Sequence, residues 1–94
     1  MQDKNSNNKE VLLKTIGDII KSHRIAENKS IYKISAEGSL PKSTWRSVEI
    51  SLSKDINITT LWKIAEGLDI PLWKLLKEVQ EKLGKDFSLD DIDF

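Results

Sequence analysis

The sequence contains no cysteine, which excludes a disulfide framework and any thiolate metal site, so a chain of 94 residues must be stabilised by packing alone. Histidine occurs once, at His23, leaving no histidine pair, no HExxH spacing and no Ser-His-acid arrangement. A Gly-rich phosphate loop is also missing. Metal binding, nucleophilic chemistry and phosphoryl transfer therefore lack recognisable parts, and neither enzymatic activity nor a cofactor is expected. No run of about eighteen apolar residues is present, and the N-terminal MQDKNSNNKE has none of the apolar centre of a secretory signal. A soluble cytoplasmic protein without a membrane partner is the expectation. With only four glycines and two prolines, few breakers interrupt the chain, and no strand-length alternation or internal repeat competes with a helical pattern.

An excess of charge of one sign is likewise lacking. Lysine plus arginine and aspartate plus glutamate both number 15, a balance that by itself argues against a polyanionic partner. The distribution is uneven. Residues 9–54 hold nine basic and five acidic side chains, whereas residues 84–94 hold Lys85 against Asp86, Asp90, Asp91 and Asp93. A modestly basic face is available in the first half, and the end is acidic.

Apolar residues recur with helical spacing along most of the length. After a polar, Asn-rich stretch over 1–8, read as a disordered tail, Leu12, Leu13, Ile16, Ile19 and Ile20 form one stripe, with Asn8 as an N-cap. Gly17 inside this helix implies close approach of another helix. Ser30 caps a second, short helix through Tyr32, Ile34 and Ala36. EGSLP ends it, with Gly38 available for positive φ and Pro41 suited to the first turn of a third helix. There Trp45 and Val48, with Leu40, make a narrow apolar edge. Asn57 caps a fourth helix carrying Ile58, Leu61, Ile64, Ala65 and Leu68, and Pro71 opens a fifth with Leu72, Leu75, Leu76, Val79 and Leu83, stopped by Gly84. One helical domain over 9–83 is expected, followed by an acidic-hydrophobic tail over 84–94.

Two short helices joined by a Gly-containing turn and framed by longer amphipathic helices fit a helix-turn-helix. The segments ISAEGSLPKSTWRSVE (Ile34–Glu49) and NITTLWKIAEGLDIPLWKLL (Asn57–Leu76), with Arg24 and Glu49, carry a resemblance to the lambda-repressor/Cro-like (XRE-type) DNA-binding family. The resemblance implies an all-α, compact five-helix domain with the helix-turn-helix at helices two and three, and a clamp between Arg24 and Glu49. It also implies that Lys42, Ser43 and Ser47 face base edges in a major groove, with Thr44 and Arg46 nearby and Lys33 and Lys54 on phosphates. The residue after helix three, often glycine in that family, is Ser51.

From periodicity alone, Lys42, Ser43, Arg46 and Ser47 form a solvated helix face. The resemblance gives them a task. It implies double-stranded DNA as partner, transcriptional repression as function, and a homodimer with helix five as a common contact; Trp62 and Trp73, large apolar residues beside the buried stripes where that family usually keeps polar side chains, are the candidates for the interface. The alternative is a protein-interaction module of the same fold, antitoxin-like or regulator-binding, with weak or no DNA affinity. The tail FSLDDIDF alternates Asp with Phe87, Leu89, Ile92 and Phe94, and is either a disordered solubilising end or a sticky peptide that docks on a groove, a protein partner's being one candidate; its negative charge is also suited to lie over the basic face and compete with DNA.

Overall fold

Five helices carry the fold: α1 (Lys4–Ala26), α2 (Ile31–Glu37), α3 (Lys42–Glu49), α4 (Ile58–Gly67) and α5 (Leu72–Leu83). The computed structural model describes residues 4–90, so the tail positions 1–3 and 91–94 lie outside the described residues. The architecture is all-α. α1 packs on α3 and α5, α2 packs on α3, and α4 packs on α5, so α1 joins the α2–α3 pair to the α4–α5 pair.

Side-chain caps fix two of the starts. Ser30 Oγ accepts from Lys33 N at 3.0 Å, and Asn57 Oδ1 accepts from Thr60 N at 2.8 Å, each relieving one of the amides a helix N-terminus leaves without a partner. Pro41 and Pro71 precede α3 and α5 without a side-chain bond, where the missing N–H of proline costs nothing. α1 starts earlier than its apolar stripe indicates. Residues 4–8 are helical, and Asn8, instead of capping, donates its side-chain amide to the Ser88 carbonyl at 2.7 Å. That carbonyl, 80 residues away in sequence, is an acceptor no local pattern reveals.

Three helices end in the same way, at residues with left-handed backbone: Asn28, Ser51 and Asp69, with φ of 59°, 60° and 59°. In each, the left-handed residue donates to a carbonyl three back (Ile25, Val48, Glu66). The next residue donates to one five back (Arg24, Ser47, Ala65), at 2.8–3.3 Å, the paired bonds of a Schellman closure. None of the three is glycine. Gly38, expected to supply positive φ between α2 and α3, instead has φ −125° and ψ −162°, extended backbone open to any residue.

The core draws Leu13, Ile16, Ile19 and Ile20 from α1, Ile34 from α2, Trp45 and Val48 from α3, Leu61, Ile64 and Ala65 from α4, and Leu75 and Val79 from α5, with Leu40 and Leu68 from the connections. Two stripe positions depart from expectation. Ile58 is exposed because it is the first residue of α4, beyond the end of the core. Leu76 is exposed because Leu75 takes the inward direction, one residue's rotation away. Gly17 has a clear packing reason: a Cβ there would stand 2.5 Å from the Val48 carbonyl oxygen and 2.9 Å from that of Glu49. The end of α3 therefore lies directly on the α1 backbone. Gly67 makes similar room for the Trp45 ring, whose nearest atom would be 3.0 Å from a Cβ.

Candidate functional site

α3 divides into two faces. Trp45, Val48 and Glu49 are buried, Thr44 and Ser47 are half-buried, and Lys42, Ser43 and Arg46 are exposed. Spacing accounts for most of the division: residues 45, 48 and 49 fall together on a 3.6-residue turn and Ser43 and Arg46 point away from them, while Lys42, three before Trp45, is exposed as the first residue of the helix. The buried side is fixed in depth by Trp45 against Gly67 and in position by the α1 backbone at Gly17.

An ion pair secures its last residue. Arg24 Nε donates to Glu49 Oε2 at 2.6 Å and Nη2 donates to Oε1 at 2.9 Å, a two-pronged bond between buried side chains. The third guanidinium nitrogen, Nη1, donates to the Lys29 carbonyl at 2.7 Å. One side chain thus joins the end of α1, the α1–α2 connection and the end of α3. The bond to Glu49 raises the Arg24 pKa above its usual value, outweighing the opposite effect of burial. The Lys29 ammonium in turn bonds Glu37 Oε1 at 2.7 Å. This bond raises the Lys29 pKa and holds the Glu37 carboxyl below the ordinary carboxylate range.

Lys33 is exposed on α2. Lys54, also exposed, shares a surface recess with Lys9 and Lys14 of α1 and with Ser51 and Ser53, a grouping separate from Lys42 and Arg46. Glu10 lies in the same recess, and spacing along the chain does not disclose the grouping. Tyr32 was no part of the expected set of contacts. It is 69% exposed, and the Lys42 ammonium stands 5.2 Å from its ring centroid. The signal available in sequence was an aromatic residue at the second position of α2, where burial would have been the ordinary reading.

Trp62 and Trp73 come together. They are 57% and 66% exposed and line a recess of about 480 Å³ with Ala65, Ile70, Leu72 and Leu76. Glu78 on α5 meets His23 of α1, Oε1 to Nε2, at 2.9 Å, which gives the lone histidine a packing partner. The described part of the tail runs beside α1 and α5. Phe87 and Leu89 line a recess of about 520 Å³ with Leu12, Val79 and Leu83, and Ser88 is the residue bonded to Asn8. An acidic cover over the basic face of α3 is thus not what residues 84–90 form, while Asp91 and Asp93 lie outside the described residues.

Among the described residues, no three His, Asp or Glu side chains group as a metal site, and no helix is long and apolar enough to cross a membrane. No protein-family model, curated protein or solved structure matches the chain.

Proposed function

We propose that the chain is a sequence-specific double-stranded DNA-binding transcriptional regulator, a repressor, in which α2 and α3 act as the helix-turn-helix and α3 enters the major groove. The observation that carries this reading is the two-sidedness of α3: an inner face locked by Trp45, Val48 and the Arg24–Glu49 pair, and an outer face of Lys42, Ser43 and Arg46 with Ser47 at its margin. Groove reading needs a helix whose position is fixed by the protein and whose outward side chains are polar enough to meet base edges. Lysine donates to guanine O6 and N7, serine bonds either base type, and arginine takes guanine or phosphate. Lys33 and Lys54 serve as phosphate contacts.

Two copies binding a two-fold symmetric site fit the exposed Trp62–Trp73 recess as the contact between subunits. Repression by occupying a promoter requires no surface beyond these two and no catalytic group or cofactor. The deciding experiment is selection of bound sites from a random duplex library at low salt. A palindromic motif lost in the Lys42→Ala, Arg46→Ala double variant is the expected outcome. Absence of any duplex binding by the wild type at low salt overturns the reading.

One observation favours a second reading, a protein-interaction module of helix-turn-helix fold. Two tryptophans standing more than half exposed around an apolar recess, on a chain of zero net charge, suit a protein partner. The described tail residues Phe87 and Leu89 would extend that surface. The same selection separates the two readings, because an antitoxin-like or regulator-binding module returns no motif.

A further inference from the structure

Tyr32 presents a large ring to solvent, 69% exposed, so burial of apolar surface does not account for its place on α2. What the ring does meet is Lys42. The Nζ atom lies 5.2 Å from the ring centroid, inside the range of about 6 Å over which an ammonium is attracted to the face of an aromatic ring. The two residues are ten apart in sequence and come from different helices, so their meeting depends on the packing of α2 against α3. Lys42 is also the first residue of α3, at the helix end that a groove-reading helix presents to base edges.

A lysine side chain has four rotatable carbons and carries a point charge without directional preference. Free in solvent, it contacts a neighbouring phosphate as readily as a base. Held over a ring, it loses part of that freedom before any ligand arrives, and its remaining N–H groups point to one side. Tyr32 itself is held at the start of α2, where Ser30 caps the helix and the Ser35 hydroxyl bonds the Tyr32 carbonyl at 3.0 Å.

We propose that Tyr32 is a positioning residue for Lys42. Its ring directs the Lys42 ammonium toward one base pair, so that Tyr32 sets sequence preference there without itself bonding the base. This rests on the DNA-binding reading of α3. The partner group it implies is a major-groove acceptor pair such as guanine O6 and N7, not a phosphate.

The test compares sites selected from a random duplex library by the wild type, Tyr32→Phe, Tyr32→Leu, Lys42→Ala and the Tyr32→Leu, Lys42→Ala double variant. Tyr32→Phe keeps the ring and should keep the wild-type motif. Tyr32→Leu should weaken preference about twofold to fivefold at one base pair. That pair should be the one flattened by Lys42→Ala, and the double variant should add nothing there. In the free protein, the Lys42 ε-methylene proton resonances should be displaced by the ring current in wild type and Tyr32→Phe, and return toward ordinary lysine positions in Tyr32→Leu. A wild-type motif that survives Tyr32→Leu overturns the positioning role while leaving DNA binding intact. So do additive losses in the double variant, which would make Tyr32 a reader in its own right. Failure of the wild type to bind any duplex removes the DNA reading and this role with it.

Discussion

The junction of α1 with α3 and the outer edge formed by α4 and α5 are built on opposite principles. At the junction, glycine removes a side chain so that the backbones can meet, and the buried charges of Arg24 and Glu49 answer each other. At the edge, two tryptophans and Leu76 stand around a recess with nothing over them among the described residues. The first region is complete within one chain. The second exposes the kind of apolar surface that folded chains ordinarily cover. Stability should therefore be concentrated at the junction, and association at the edge.

That contrast can be broken at its strongest point first. Removing one member of a buried ion pair leaves the other charge without a partner, typically costing about 3–5 kcal/mol. Glu49→Gln or Arg24→Met should thus lower the melting temperature strongly, as read by thermal denaturation. An unchanged midpoint in both variants would show that the junction owes nothing to the pair. A Gly17→Ala substitution comes next. The added methyl would collide with two carbonyl oxygens that belong to backbone and cannot rotate away, so overpacking of about 2–3 kcal/mol should exceed the gain of about 1 kcal/mol in helix propensity. Urea unfolding measures the difference, and a more stable Gly17→Ala protein would refute the close approach.

Smaller effects sharpen the comparison. Ser51 closes α3 with φ of 60°, a conformation that carries a steric cost for any residue with a Cβ. Ser51→Gly should therefore stabilise the fold by about 0.5–1 kcal/mol, and destabilisation would mean the serine side chain has a task of its own. At the edge, the Trp62→Ser, Trp73→Ser double variant should lower the unfolding free energy of the monomer by about 1 kcal/mol, about 0.5 kcal/mol for each surface substitution. Sedimentation should nevertheless show loss of self-association. A dimer that persists in this variant moves the subunit contact elsewhere.

Much of the framework was legible in residue order because caps and apolar spacing are local. Ser30 and Asn57 mark starts that the structure has, and the burial of Trp45 and Val48 follows from their three-residue separation. What stayed hidden depends on contact between distant segments. Asn8 reads as a cap until Ser88 is beside it. Gly38 reads as the left-handed turn residue, whereas that geometry falls on Asn28, Ser51 and Asp69, which carry side chains. Periodicity also placed Leu76 inward, because it fixes direction around a helix axis only to within about one residue. The site shows the same limit. Arg24 and Glu49 were paired through resemblance and lie 2.6 Å apart, but no spacing rule brings Tyr32 to Lys42 or groups Lys54 with Lys9 and Lys14.

The three tryptophans, finally, give the molecule built-in optical reporters. Trp45 is 1% exposed beneath α3, while Trp62 and Trp73 are more than half exposed on the α4–α5 edge. A soluble quencher should therefore darken the outer pair and spare the inner one. Shielding of the outer pair would register an arriving partner, and loss of the protected fraction would register unfolding. A single fluorescence titration on the unlabelled protein can thus distinguish occupancy of its edge from collapse of its core.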